Sequence, residues 1–569
     1  MSSNPSSSKP GVRLVEPGTV SSSPLSDKLT TRQLLPVLLI CLLGLVVRLI
    51  GLRWSLPDAA HPFSTYHPDE VVNLGVARTV NFIQGKIDIK YYNYGSLYFY
   101  LVAIVMDMGK TYGFVSKLDA ASSIQSLAAH MDGLFLSGRL VSFLSGIFTI
   151  PVVYAIGKRL EGHRVGLYAS LLFALTPLSV VDSDFFTVDS TGVLFVALAL
   201  LYALKMYEDG ALKETIAAGV WVGLASATKY NLGMVLVAPV LALMLGKMNR
   251  KLLKLFSLCL SSILAFLIAC PGCFMHFQEF WYGIPGNPQT GLAYELFVHS
   301  RTGHGLLFVN TGPGWWYHLI ISLPWGLGIL METGSICGLL FVLHRRKKPD
   351  LILCVFVVVF FLLTSLSAVR FARYMLPLFP VFAVMFTQLC FTCSERYRLP
   401  GKSIFVLVLM ATGIYTFSLV HCMATTPPQD RSASYINAHI PPKGTVAFAT
   451  LPWFYSPPLS PLFGAPDPAN RRRAATESKR FTLVLPETDW DESVLTPTPD
   501  AVVVSNFETM HPLRLHQKPA INFMNALKAY RAHVFSKGIL WCGPPEGTII
   551  PDDILYICPT ITVYTPPQK

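Results

Sequence analysis

The chain has 569 residues, 52% hydrophobic and only 14% charged, with a mean hydropathy of +0.48. A soluble chain carries roughly a quarter charged residues, so the composition excludes a purely soluble enzyme, a disordered protein and a reader of nucleic acid with a charged surface. The net charge of +12 says less than where the cations fall, because Lys and Arg stay on the cytoplasmic side of a membrane.

Residues 1–32 are rich in Ser and Pro without an apolar run, which predicts a disordered cytoplasmic tail. The first apolar run, 34–52, is too long for a signal-peptide core and is read as a retained membrane helix. Further runs of membrane length are expected at 135–157, 165–183, 190–206, 214–228, 231–246, 254–272, 328–343, 351–368, 375–393 and 402–421. The fold class predicted is thus an α-helical polytopic membrane protein of about 11 spans, each needing ~20 apolar residues. The transmembrane domain covers 33–421, with outer loops at 54–134 and 273–327 that carry juxtamembrane helices.

Residues 95–115 could cross or lie at the interface, and charge decides between the two. If they do not cross, one set of loops carries Lys158, Arg159, Arg164, Lys205, Lys213, Lys247, Arg250, Lys251, Lys254, Arg345, Arg346, Lys347, Lys348, Arg396, Arg398 and Lys402. The opposite short loops carry only Lys229, Arg370 and Arg373. That asymmetry places the N-terminus in the cytoplasm and 95–115 at the outer surface. It also places 422–569 outside, where TVAFAT (445–450), FTLVLP (481–486), DAVVVS (500–505) and ITVYTP (561–566) predict strands of a small C-terminal α/β domain. Cys542 and Cys558 in that domain are candidates for a disulfide. The C-x-x-C of Cys390 and Cys393 lies inside an apolar run, where Cys behaves as a small hydrophobe.

Polar groups at the membrane are costly and mark function; here they gather at the outer ends of the spans. In YHPDE (66–70), Pro68 stops a helix and Asp69 and Glu70 are adjacent carboxylates. One can serve as a general base and the other hold a metal or a hydroxyl, or both can be a solvated loop. Asp189 in FFTVDS (185–190) suits a helix N-cap or a cavity carboxylate. Lys229 lies between two apolar runs with almost no loop, where it either snorkels or holds a phosphate. Arg370 and Arg373 are three apart and are expected to share a helix face, presenting forks suited to phosphate. His299 and His304 in ELFVHSRTGH (295–304) have no metal-ligand spacing of their own.

In this order the motifs HPDE (67–70), YNYGSLYFYL (92–101), TVDS (187–190), GLASATKYN (223–231), ELFVHSRTGH (295–304) and RFARYMLPLFP (370–380) resemble polyprenyl-phosphate-sugar glycosyltransferases of the GT-C class. The branch resembled is family 39, which includes protein O-mannosyltransferases and lipid A aminoarabinose transferases. The resemblance covers roughly 34–400. It implies Asp69 as the base that activates an acceptor hydroxyl, with Glu70 beside it. It implies a substrate-binding set of Asp189, Lys229, Arg370, Arg373, Tyr374, His67 and Tyr94. Relatives often carry His where this chain has Asp184.

The function expected is an inverting transferase that moves a sugar from a polyprenyl-phosphate donor to a hydroxyl of a protein, lipid or glycan at the extracytoplasmic face of a plasma or inner membrane. No nucleic acid is involved. A divalent metal held by Glu70 and His304 is compatible with this chemistry without being demanded by it. The rival class is a multi-spanning secondary transporter, which the lack of an inverted repeat and the large outer segments disfavour.

Overall fold

The computed structural model describes residues 31–118, 123–476, 478–538 and 549–567. The expected tail 1–32 therefore lies almost wholly outside the described residues, and so does Cys542. The thiol of Cys558 donates to the Ile554 carbonyl at 3.1 Å.

The first part of the chain is helical throughout: α1 (Thr31–Gly51), α2 (Pro68–Ala77), α3 (Leu97–Tyr112), α4 (Ile124–Glu161), α5 (His163–Ala174), α6 (Pro177–Asp182), α7 (Asp189–Asp209), α8 (Leu212–Thr228), α9 (Val237–Leu245) and α10 (Lys251–Ala269). Longer helices then follow at Ile329–Arg345, Lys348–Thr364, Phe379–Arg396 and Gly401–Ala424. Apolar side chains face outward as well as inward. Leu35, Leu38, Leu39 and Leu42 on α1 are each more than half exposed, as are Leu252, Phe256 and Ile268 on α10. A helix apolar on all sides is stable only in an apolar solvent; the chain is an integral membrane protein.

Among the described residues, six helices are long and apolar enough to span a bilayer, or seven if Gly314–Leu327 and Ile329–Arg345, bent by 118°, form one crossing. The other expected spans are shorter or broken. The run 165–183 splits before Pro177, 231–246 begins as the 3-10 turn Tyr230–Leu236, and the helices Leu212–Thr228 and Lys348–Thr364 have 17 residues each. Residues 95–115 form the 16-residue α3, about 24 Å at 1.5 Å per residue and short of the ~30 Å hydrocarbon core.

Small residues set the close contacts. A Cβ on Gly219 would meet Ser261 Oγ at 2.0 Å, and one on Gly223 would meet the Ser262 carbonyl at 2.3 Å. This small-xxx-small stripe lets α8 and α10 approach backbone to backbone, where dispersion replaces a missing hydrophobic drive.

The last part builds a five-stranded sheet of order β2-β1-β3-β5-β4, with β1 (Thr445–Phe448), β2 (Thr482–Val484), β3 (Ala501–Ser505), β4 (Arg531–Phe535) and β5 (Ile561–Thr565). β1 pairs parallel with β2 and β3, and β5 pairs antiparallel with β3 and β4. All five residues of β3 are buried, as befits a central strand covered on both faces. Helix Pro428–His439, leading out of the last membrane helix, packs beside this sheet through Ile436 and Ile440.

Candidate active site

The first loop is pinned by a buried ion pair. Arg139 on α4 donates to Glu70 through Nε at 2.8 Å and Nη2 at 2.7 Å, and both side chains are fully buried. Glu70 also accepts from the Phe186 N–H at 2.7 Å and from the Thr65 hydroxyl. The remaining guanidinium nitrogen donates to the Leu52 and Trp54 carbonyls at 3.0 and 2.6 Å. These contacts satisfy the two charges, as burial demands. They also use up Glu70, so the expectation that it joins catalysis or holds a metal with His304 meets a carboxylate already saturated and absent from the cavity lining. The one group of three candidate metal ligands among the described residues is elsewhere. It comprises Asp88, His276 and Glu279, and the ammonium of Lys90 already sits against both of its carboxylates.

Asp69 faces the other way. His67 is the N-cap of α2, its Nδ1 accepting from the Asp69 N–H at 3.3 Å, and Pro68 occupies the first turn. The His67 ring is wedged between Phe185 and Tyr556, each with ring centroids at 4.5 Å. Burial keeps this imidazole below its usual pKa, and accepting at Nδ1 leaves the ring proton on Nε2. About a third of the Asp69 side chain stays accessible, opening on a cavity of about 960 Å³.

Five charged groups meet beside it. Arg373 donates from Nη2 to Asp69 at 2.8 Å and from Nη1 to Asp553 at 2.9 Å, and its Nε lies 3.8 Å from Asp189. Lys229 donates to Asp189 at 2.7 Å. Asp189 is the first residue of α7, with Val188 as the cap, so its charge lies at the positive end of that helix. Lys229 takes extended backbone, φ −150° and ψ 121°, where α8 stops. Its ammonium sits 4.3 Å from the ring centroid of Tyr374 and 5.7 Å from that of Tyr94. Tyr94 is pressed into place by its neighbour: a Cβ on Gly95 would lie 1.9 Å from the Ala227 carbonyl. For Asp69, burial alone would raise the pKa, but the charges of Arg373, His67, His304 and Lys229 outweigh it and hold the carboxyl below its ordinary value.

A second polar group also lines the cavity. Asn93 donates to Glu295, Glu295 and His299 pair at 2.9 Å, and His304 lies 3.5 Å from His299. Arg370 is not brought to the cavity. The chain is extended at Phe371, with φ −57° and ψ 142°, so the shared helix face expected for the two arginines does not exist. Arg370 instead donates to Thr311 Oγ1 and the Gly312 carbonyl at 2.8 and 2.7 Å. Asp184 is also outside the cavity, fully buried with both oxygens unpartnered.

Sequence reasoning missed Asp553, which anchors Arg373 and also accepts from the Ala372 N–H at 2.7 Å. It missed the C-terminal half of the wall as well: Trp453, Tyr455, Phe507, His511 and Tyr556. The adjacent acids of PDD (551–553) were a visible signal, but nothing in the chain links them to a segment 180 residues away.

Residues 123–274 match the family model described as dolichyl-phosphate-mannose-protein mannosyltransferase. That stretch runs from α4 past α10 and includes Asp189 and Lys229. No curated protein matches the chain. Among solved structures, ArnT from Cupriavidus metallidurans bound to undecaprenyl phosphate is similar at TM-score 0.47 and 14% identity, covering 93% of this chain and 97% of that one. The Archaeoglobus fulgidus oligosaccharyltransferase in its apo form gives TM-score 0.45 and 12% identity over 90% of this chain and 75% of that one. The S. cerevisiae protein O-mannosyltransferase Pmt1-Pmt2 complex bound to the sugar donor gives 0.34 and 21%, covering 46% and 36%. The chain resembles the GT-C glycosyltransferases of family 39.

Proposed function

We propose that this protein is an inverting glycosyltransferase that moves a sugar from a polyprenyl-phosphate donor to an acceptor hydroxyl at the extracytoplasmic face. The observation that carries the reading is the meeting of Asp69, Arg373 and Lys229 in the lining of one cavity beside apolar helices, with Asp189 paired to both cations. The family match over 123–274 supports it.

In this reading the lipid tail stays among the apolar helices and its phosphate stops at the cavity. Lys229 is the phosphate contact, because an ammonium carries three donors and its one hydrogen bond here goes to Asp189. Arg373 has each arm of its fork on a carboxylate, so it serves first as the hub that sets Asp69 and Asp553 in register. The acceptor oxygen attacks the anomeric carbon as its proton passes to Asp69. The bond from that carbon to the phosphate oxygen breaks, and the electron pair leaves with the lipid phosphate, whose growing charge Lys229 stabilises. One displacement gives inversion.

The test is to incubate the purified protein with a panel of polyprenyl-phosphate sugars and acceptors and to measure released lipid phosphate. Release that depends on Asp69 supports the reading. Uptake of a solute into sealed vesicles without any release would replace it with transport.

A further inference from the structure

The catalytic description leaves one half of the cavity without a task. Its roof is made by the C-terminal sheet layer, through Trp453, Tyr455, Trp490, Phe507, His511 and Tyr556. We propose that this roof is the acceptor site and that the acceptor is a carbohydrate, seated on the aromatic wall with the imidazole of His511 as a hydrogen-bond donor to it. The inference rests on the transferase reading, because it assigns the second substrate of that same cavity.

Three observations carry it. The first is a ladder of rings that leads to the base. Tyr455 stacks on Phe507 at 5.4 Å and 11°, Phe507 on Tyr556 at 5.8 Å and 23°, and Tyr556 meets His67, which caps the helix of Asp69. All three rings also line the cavity that holds Asp69, and aromatic surface suits the C–H faces of a pyranose.

The second is an orphan donor. His511 is 6% exposed, and its Nε2 is buried with no partner. Its Nδ1 lies 3.3 Å from an Arg514 nitrogen, and Arg can only donate, so Nδ1 accepts. Burial and then Arg514 depress this imidazole to about 4, so the ring is neutral at pH 7 and its one proton sits on Nε2. His511 lines the cavity, and an acceptor hydroxyl that reaches its Nε2 satisfies an N–H that is otherwise buried without a partner.

The third is what the roof lacks. No Lys or Arg from the C-terminal layer lines the cavity among the described residues, whereas Asp489 and Asp552 do. That disfavours a phosphorylated acceptor and suits hydroxyls, which donate to carboxyl oxygens. The edge strands β2 and β4 contribute nothing to the lining either, so a peptide has no free strand edge to extend. At about 960 Å³ the cavity is near the top of the ~300–1,000 Å³ range of small-molecule sites, as two substrates in one chamber require.

Equilibrium binding to the intact, donor-free protein tests this, read by intrinsic tryptophan fluorescence and by calorimetry. The probes are maltotriose, cellotriose and mannotriose, against a Ser/Thr-rich peptide and a phosphorylated sugar. At least one neutral trisaccharide should bind saturably. His511→Leu and Tyr455→Leu, each checked for an unchanged melting profile, should weaken it roughly tenfold or more. Should either variant fail to fold, Trp453→Leu takes its place. Saturable binding of the peptide or the phosphorylated sugar alone, or trisaccharide binding indifferent to all three substitutions, overturns the proposal. Because no donor is present, this outcome is independent of lipid-phosphate release, which tests the transferase reading itself.

Discussion

Asp69 shares a hydrogen bond of 2.8 Å with Arg373, and in the proposed transfer that contact governs its use as a base. The carboxyl is held below its ordinary value against the opposing effect of burial. It is therefore ionised at every pH above the usual Asp range of ~3.9, and no acid limb from this group should appear near neutrality. The same depression makes the pair stabilising above ~pH 3.9, with the stabilisation lost as pH falls further through the folded pKa. Asp69→Asn keeps the shape and removes the base, so lipid-phosphate release should fall by ~10² or more while the lipid donor still binds. Arg373→Gln removes the largest of the charges that oppose burial, so the acid limb of the pH–rate profile should move upward. A limb that stays put in that variant would show that Arg373 does not tune Asp69.

At the scale of elements, α2 is held by one side and used by the other. Glu70 and Asp69 are consecutive on a helix and point apart by about 100°, one into Arg139 and the other into the cavity. Glu70→Gln leaves a fully buried guanidinium without its counter-charge, which costs roughly 3–5 kcal/mol. A large drop in melting temperature in detergent is the expected result, with turnover lost as α2 loosens. The end of α8 is set by a close approach rather than a charge. Gly95→Ala drives a methyl into the Ala227 carbonyl, 1.9 Å from where the Cβ must go. The shift should carry Tyr94 away from Lys229 and raise the donor KM more than it lowers the melting temperature.

Over the whole molecule, the C-terminal layer is part of the site. It reaches the membrane part through Asp553 on Arg373, Arg514 on the Val309 carbonyl at 2.8 Å and Lys537 on the Thr425 carbonyl at 2.6 Å. Asp553→Asn removes one charge from the Arg373 hub, 180 positions along the chain from Arg373. It should lower turnover by roughly tenfold, the scale of one charge-assisted hydrogen bond, with donor binding less affected. The arrangement also requires the C-terminal layer to lie on the membrane face opposite the basic loops. Reporters fused after Lys569 and inserted at 345–350 should report opposite sides.

What the sequence determined by itself follows from short-range physics. Long apolar runs can only be helices in lipid, because every backbone group must be bonded within the segment. The β-branched runs at 445–450, 481–486, 500–505 and 561–566 contain four of the five strands, while RAHVF (531–535) has too little alternation to announce the edge strand it forms. Pro68, expected to stop a helix, instead opens α2 behind the His67 cap, because a first-turn proline has no needed N–H to lose. Only the tertiary structure decided which of two adjacent carboxylates faces the cavity, since that depends on Arg139 arriving from α4. It decided that Arg370 and Arg373 part company, because Phe371 is extended where a continuous helix was expected. It also decided that Asp553 closes the ion-pair hub. Partners separated by 69 to 304 positions along the chain, such as Arg139 with Glu70 and Arg373 with Asp69, are chosen by packing, and no local pattern encodes that choice.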